Sequence, residues 1–356
     1  MDKPSLMLEI NIPAPGLRPG AGFLHAYTES LCRELEACVD DLAEYDIKTV
    51  YIRGAGGPND LDLRVLTRTL RMSLEISEAE KVVEIAPQRI STANFFTYQN
   101  FHTDLYRISL DTLNYPDFCR LKLNYEYNHY TWIQKLLSYS NLTSVCIELL
   151  LGIEGQNEAS MTDSLNRVMG FNPDKVSFKP ADRPSLDGAG RLKTTEPVVL
   201  LETADVYLLE RGYHRTSVYE YAKPGMDSVH TVLQNTDCAY WGLGVGAVTF
   251  TDGCILTNTP DPDKYISAGG DLEKLVDRAV RLDDKSLAQN YIIRRLNAAE
   301  GLDMGELESR FGGLMAGALD TLENENLVRI ADGRAVLTNL GAVYMPRVRK
   351  IISGVG

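Results

Sequence analysis

The chain has 356 residues, 44% of them hydrophobic and 24% charged, and a formal net charge of −13. That length and balance fit a globular protein of two or three folding units, and the acidity argues against a general nucleic-acid binder. The six cysteines (Cys32, Cys38, Cys119, Cys146, Cys238, Cys254) form no C-x-x-C pair and no zinc spacing, so reduced thiols of a cytoplasmic protein are expected, with no signal peptide and no run near the ~20 apolar residues of a membrane span.

Leu6 to Gly22 opens the chain. Leu6, Met7, Leu8, Ile10 and Ile12 form an apolar strand, stopped by Pro13 and Pro15, which cannot donate to a sheet ladder. A loop rich in proline and glycine follows, without Cys, His, Asp or Glu. Gly22 to Tyr45 reads as an amphipathic helix, with Leu24, Tyr27, Leu31, Leu35, Cys38 and Leu42 on one stripe. Strands are expected at Ile47–Ile52, Lys81–Ile85, Leu105–Leu110, Ser144–Leu151 and Lys175–Phe178, and helices at Asp60–Leu74, Tyr127–Tyr139 and Met161–Met169. Strands alternating with helices predict parallel strands with helices outside, and six such units fit a partial (β/α)6 barrel over residues 1–180, with working loops on one rim.

After Lys179 the pattern changes. Pro180 to Thr195 reads as a polar linker and Glu196 to Gly212 as a helix closed by glycine. A strand at Ser217–Tyr221 and the glycine-spaced stretch Cys238 to Phe250 complete an α+β extension, 181–282. From 283 to 356 three helices precede two short strands flanking Asp332-Gly333, a hairpin signature, which together read as a C-terminal winged-helix domain. Its third helix carries Asp320, Glu323 and Glu325 and no Lys or Arg, so a packing or partner-binding role is expected there, without nucleic acid.

Several segments together resemble the oxygen-independent coproporphyrinogen III oxidases and their relatives the heme chaperones, within the radical SAM superfamily. Leu8-Glu9-Ile10-Asn11-Ile12-Pro13 resembles the family's Y-x-H-x-P strand, and Gly54-Ala55-Gly56-Gly57-Pro58 resembles G-G-G-T-P. Glu84-Ile85-Ala86-Pro87 resembles E-x-N-P, and Glu148 to Gly152 with Gly155-Gln156 resembles D-L-I-x-G-L-P-G-Q. His230 and Trp241 to Ala247 resemble the H-N…Y-L-G-L-G-x-G-A stretch, with Asn258 and Tyr265 at the expected distance beyond. The resemblance covers nearly the whole chain. It implies a radical-SAM-type α/β barrel, with Gly54, Gly56, Gly57, Glu84, Glu148 and Val248 at the positions of a S-adenosylmethionine site.

The departures shape the functional expectation. The family's C-x-x-x-C-x-x-C, which binds a 4Fe-4S cluster, is matched here by Pro15, Pro19 and Gly22, and thiolates are what such iron requires. Glu9 and Asn11 replace a Tyr and a His. Leu113 and Tyr125 replace polar contacts to S-adenosylmethionine. The resemblance with these losses implies no cofactor and a pseudoenzyme that holds a small molecule, a tetrapyrrole among the candidates, or docks a partner. The alternative is an enzyme with a relocated cluster, or a rim reused for acid/base chemistry by Glu84 and Glu148. Glu84 and Glu148 serve equally well to hold backbone N–H groups at strand ends, and the glycine turn to join a strand to a helix. His25, His102, His129 and His214 show no ligand spacing, and His230 alone is no metal site.

Overall fold

Period-two alternation places two different chemistries on the two faces of the first strands, and the fold follows from it. The computed structural model describes residues 3–13, 21–54, 60–123, 125–139, 143–180 and 196–354. In the first region run β1 (Ser5–Asn11), α1 (Ala21–Ala37), α2 (Val39–Leu42), β2 (Asp46–Arg53), α3 (Asp60–Ser73), β3 (Glu80–Ile85), α4 (Thr92–Asn100), β4 (Leu105–Asp111), α5 (Tyr115–Leu121), α6 (His129–Tyr139), β5 (Val145–Leu151), α7 (Glu158–Met169) and β6 (Lys175–Pro180). Then come α8 (Glu196–Leu209), β7 (His214–Ser217), β8 (Glu220–Ala222), α9 (Val229–Gln234), β9 (Ala239–Leu243), β10 (Val248–Thr251), β11 (Cys254–Asn258), α10 (Pro262–Ala268), α11 (Leu272–Leu275) and β12 (Val276–Arg281). The chain ends with α12 (Asp284–Asn297), β13 (Leu302–Asp303), α13 (Met304–Phe311), α14 (Ala316–Asn324), β14 (Val328–Ala331), β15 (Arg334–Leu337), α15 (Asn339–Val343) and α16 (Met345–Ser353).

β1 to β9 and β1 through β6 are joined by parallel pairings, and antiparallel strands extend both edges into one 12-stranded sheet, ordered β12-β11-β10-β9-β1-β2-β3-β4-β5-β6-β8-β7. The expected strands and long helices are present, and the fold class is α/β with a large, mostly parallel sheet. One expectation is corrected. Ser217–Tyr221 is not one strand but the tip of an antiparallel hairpin: Ser217 ends β7, Val218 and Tyr219 leave the ladder, and Glu220 and Tyr221 begin β8. The linker 181–195 lies outside the described residues.

Leu6, Leu8, Ile10, Val50, Ile52, Val83, Ile108 and Ile147 face the helices and are buried in one core with Leu31, Leu35 and Leu66. Each such side chain stabilises the fold by roughly 1.5–3 kcal/mol. Cys32 and Cys38 belong to this core, as their helix positions predict. On the opposite face only Tyr51, Val82, Leu105 and Cys146 form an apolar cluster. Glu9, Arg53, Glu84, Arg107, Ser109, Glu148 and Ser177 stand on the same face, which carries the site. The short helix α9 lies across it, touching β1, β2, β3 and β7. Among the described residues no helix is long and apolar enough to cross a membrane.

Candidate ligand site inside the sheet

The inward residues of successive strands meet as bonded pairs. Glu9 on β1 pairs with Arg53 at the end of β2, 3.2 Å apart, and the Arg53 guanidinium lies over the Tyr51 ring. Tyr51 donates to Glu84 on β3 at 3.0 Å. Arg107 on β4 donates to Ser177 on β6 at 3.1 Å and to Glu220 on β8 at 2.5 Å. Ser109 donates to Glu148 on β5 at 2.8 Å. These pairs let charged groups sit inside a sheet, since each buried charge has a partner.

α9 closes this layer from below. Glu80 accepts from the Ser228 hydroxyl at 2.9 Å and from the His230 backbone N–H at 2.7 Å, fixing the start of the helix. Thr231 donates to Glu220 at 2.8 Å. His230 is 3% exposed; its Nδ1 lies 3.1 Å from Thr49 Oγ1, and its ring tilts against Tyr51 at 4.6 Å. Its Nε2 has no hydrogen-bond partner and stands 3.9 Å from Glu9 Oε1. Burial, and then the nearby Arg53 and Arg107, push this imidazole down to about 3, so it is neutral at physiological pH.

Two cavities adjoin in this space. One, of about 240 Å³, is walled by Glu84, Arg107, Glu148, Lys179, Glu220 and His230. The other, of about 430 Å³, runs from Glu9 toward α12 and α16, and the two share Arg53, Ser217, Tyr219 and Gln234. At the rim Asp111 closes β4 in a left-handed conformation, φ 60°, where the β4–β5 register shifts. Burial, and then Glu148, raise its carboxyl to about 6.

Of the residues expected at a small-molecule site, Glu84 and Glu148 come together on one cavity wall. Gly54 and Val248 line neither cavity; Gly56 and Gly57 lie outside the described residues. Gly54 is required by geometry: φ is 66°, and a Cβ there would stand 2.2 Å from the Ile12 carbonyl oxygen. Leu113 is buried, with its N–H on Ser164 Oγ at 3.3 Å, and Tyr125 meets the Tyr130 hydroxyl at 3.0 Å. Arg53, Arg107, Asp111, Lys179 and Glu220 complete the site and were not foreseen. Arg107, Ser109 and Asp111 alternate along one strand, a signal that was available. Glu220 was hidden by the misread hairpin.

The fold overlays one solved structure along nearly its whole length. That structure is titled "Coproporphyrinogen III oxidase (HemN) from Escherichia coli is a Radical SAM enzyme"; the TM-score is 0.79 at 18% identity, covering 99% of this chain and 90% of that one. Among curated proteins, a heme chaperone HemW of Synechocystis sp. is 24% identical over 250 residues, 65% of this chain and 59% of its own. A heme chaperone HemW of Bacillus subtilis is 20% identical over 88% of both chains. The oxygen-independent coproporphyrinogen III oxidase of Escherichia coli is 21% identical over 72% of this chain and 62% of its own. The chain is a relative of the heme chaperones and oxygen-independent coproporphyrinogen III oxidases. No protein-family model matches it.

These relatives correct the expectation of no cofactor. The solved structure with this fold is that of a radical SAM enzyme, a kind that uses a 4Fe-4S cluster and S-adenosylmethionine, and Pro15 and Pro19 lie outside the described residues. Among the described residues, no three His, Cys, Asp or Glu side chains stand together as metal ligands. Burial raises the Cys32 thiol and pushes Cys38 up to about 12, which disfavours the ligating thiolate. The described side chains therefore do not by themselves fit a cluster.

Proposed function

We propose that the chain binds a tetrapyrrole of the heme or coproporphyrinogen kind in the paired cavities beneath the sheet, with His230 facing it, and presents it to a protein partner. One observation carries this reading: a buried, neutral imidazole whose Nε2 has no partner lines a polar cavity. Neutral imidazole is the form that ligates a heme iron, and none of its affinity is spent displacing a proton. The paired cavities reach the range of about 300–1,000 Å³ usual for ligand sites. The names of the relatives, heme chaperone and coproporphyrinogen oxidase, support the ligand class. Glu84 and Glu148 at the rim end offer acceptors to the pyrrole N–H groups of a metal-free porphyrinogen; in heme those nitrogens hold the iron instead.

The test is titration with hemin, read by the Soret band. Wild type should bind with a shifted band, and His230→Ala should lose the shift and at least tenfold in affinity. Equal spectra and equal affinities for the two would overturn the reading.

A second reading, acid/base work at the rim, is favoured by Asp111. A carboxyl raised to about 6 beside Glu148 can hold or release a proton near neutrality. Infrared titration should show a protonated carboxyl that ionises near that pH and is missing in Asp111→Asn. An unchanged spectrum in that variant would exclude it.

A further inference from the structure

The larger cavity differs in charge from the smaller one. Glu9 is the only acidic side chain among its described lining residues, and it is already bound to Arg53. Against it stand three guanidinium groups, Arg53, Arg294 on α12 and Arg349 on α16. Arg294 is 9% exposed. Its Nε and Nη2 donate to the carbonyls of Gln234, Leu233 and Cys238, at 3.0, 3.3 and 3.0 Å, which fixes the group in place. Its Nη1 is buried without a partner. Asn290 and Asn297 on α12 add amide groups to the same wall. A buried guanidinium donor left unpaired is costly, and an anionic oxygen is the partner that relieves it best.

We propose that this cavity is a carboxylate subsite, in which Arg294 and Arg349 take the acidic side arms of the ligand while its ring lies toward His230. The inference rests on the tetrapyrrole reading above and adds the ligand's orientation: carboxylates toward the C-terminal helices, the macrocycle toward His230, Glu84 and Glu148. It makes α12 and α16 part of the binding site. It also requires that the free acid be preferred over its ester.

Hemin and hemin dimethyl ester, compared in one detergent-containing buffer, test this. Wild type should bind hemin at least about tenfold more tightly than the ester, the factor expected from one lost charge-assisted hydrogen bond. Arg349→Gln, an exposed position, should weaken hemin by a similar factor and leave the ester unchanged. Arg294→Gln should do the same; because that arginine also holds three backbone carbonyls, its melting curve is measured alongside, and the Arg349 result stands if it unfolds. Equal binding of acid and ester by wild type, or equal weakening of both by Arg349→Gln, would overturn the subsite while leaving His230 and the tetrapyrrole reading intact. Failure of wild type to bind either compound would overturn both.

Discussion

Glu34 on α1 is 2% exposed, yet three groups donate to it: the Gly244 N–H at 2.8 Å, Asn258 Nδ2 at 2.6 Å and the Tyr265 hydroxyl. Burial outweighs these donors and raises its carboxyl to about 7 from an ordinary 4.5. Between those values the unfolded chain gives up this proton while the folded chain keeps it. Folding stability from this group is therefore lost as pH rises from about 4.5 to about 7, by up to roughly 3 kcal/mol. His230 has the opposite sign. Its folded value lies near 3 and its unfolded value near 6.5, so stability is lost as pH falls through that window. Urea unfolding at a series of pH values should show Glu34→Gln flattening the decline on the neutral side and His230→Gln flattening the decline on the acid side. Unaltered slopes in either variant would refute the assignment for that residue. Asn258 and Tyr265 were legible in the sequence as spaced positions, but the acid they serve was not. Glu34 sits on an amphipathic helix as one charge among several, and only the distant glycine turn reveals that it points inward. Glu84 and Glu148 were legible because each is a carboxylate set within an apolar strand run. The arginines beside them were not, since pairing across strands depends on register that a single strand does not encode.

At the scale of elements, the glycine at the end of β2 sets how closely two strand ends approach. A methyl group at Gly54 would meet the Ile12 carbonyl, a backbone atom that cannot swing away, and φ of 66° adds about 1–2 kcal/mol of strain for a residue with a Cβ. Gly54→Ala should lower stability by more than about 2 kcal/mol, seen as a lower urea midpoint at unchanged slope. A change under 0.5 kcal/mol would mean that the β1 and β2 ends are free to part. The parallel strands were readable because each is an apolar run ended by Gly, Pro or a charge. Several other elements were not, α9 to α11 and β12 among them. α4 and α5 were missed because α4 mixes exposed Phe96 with buried Phe95 and Tyr98, and α5 opens on Tyr115-Pro116, giving neither a clean stripe. Ser217–Tyr221, the tip of the β7–β8 hairpin, reads as one strand because no glycine marks the turn.

For the whole molecule, the decisive fact is that one buried cluster runs from Leu6 to Ile352 without a break. The C-terminal helices share it with the sheet. They are also tied by specific bonds: Tyr219 donates to the Ala342 carbonyl at 2.8 Å, Asn339 donates to Asp205 at 3.1 Å, and Arg215 donates to Asn339 at 3.2 Å. Arg294 adds its grip on the end of α9. A second unit joined only by a small, wet interface would unfold separately; a shared apolar core makes separation expose surface on both sides at once. Unfolding should therefore be a single cooperative transition, with Trp132 on α6 and Trp241 on β9 reporting the same midpoint as the far-UV signal of the helices. Hydrogen exchange should assign α12 the same opening free energy as β1 and β2 within about 1 kcal/mol. An earlier transition confined to α12–α16 would contradict this, and would mean that the carboxylate wall of the cavity can move away from its floor without unfolding the sheet.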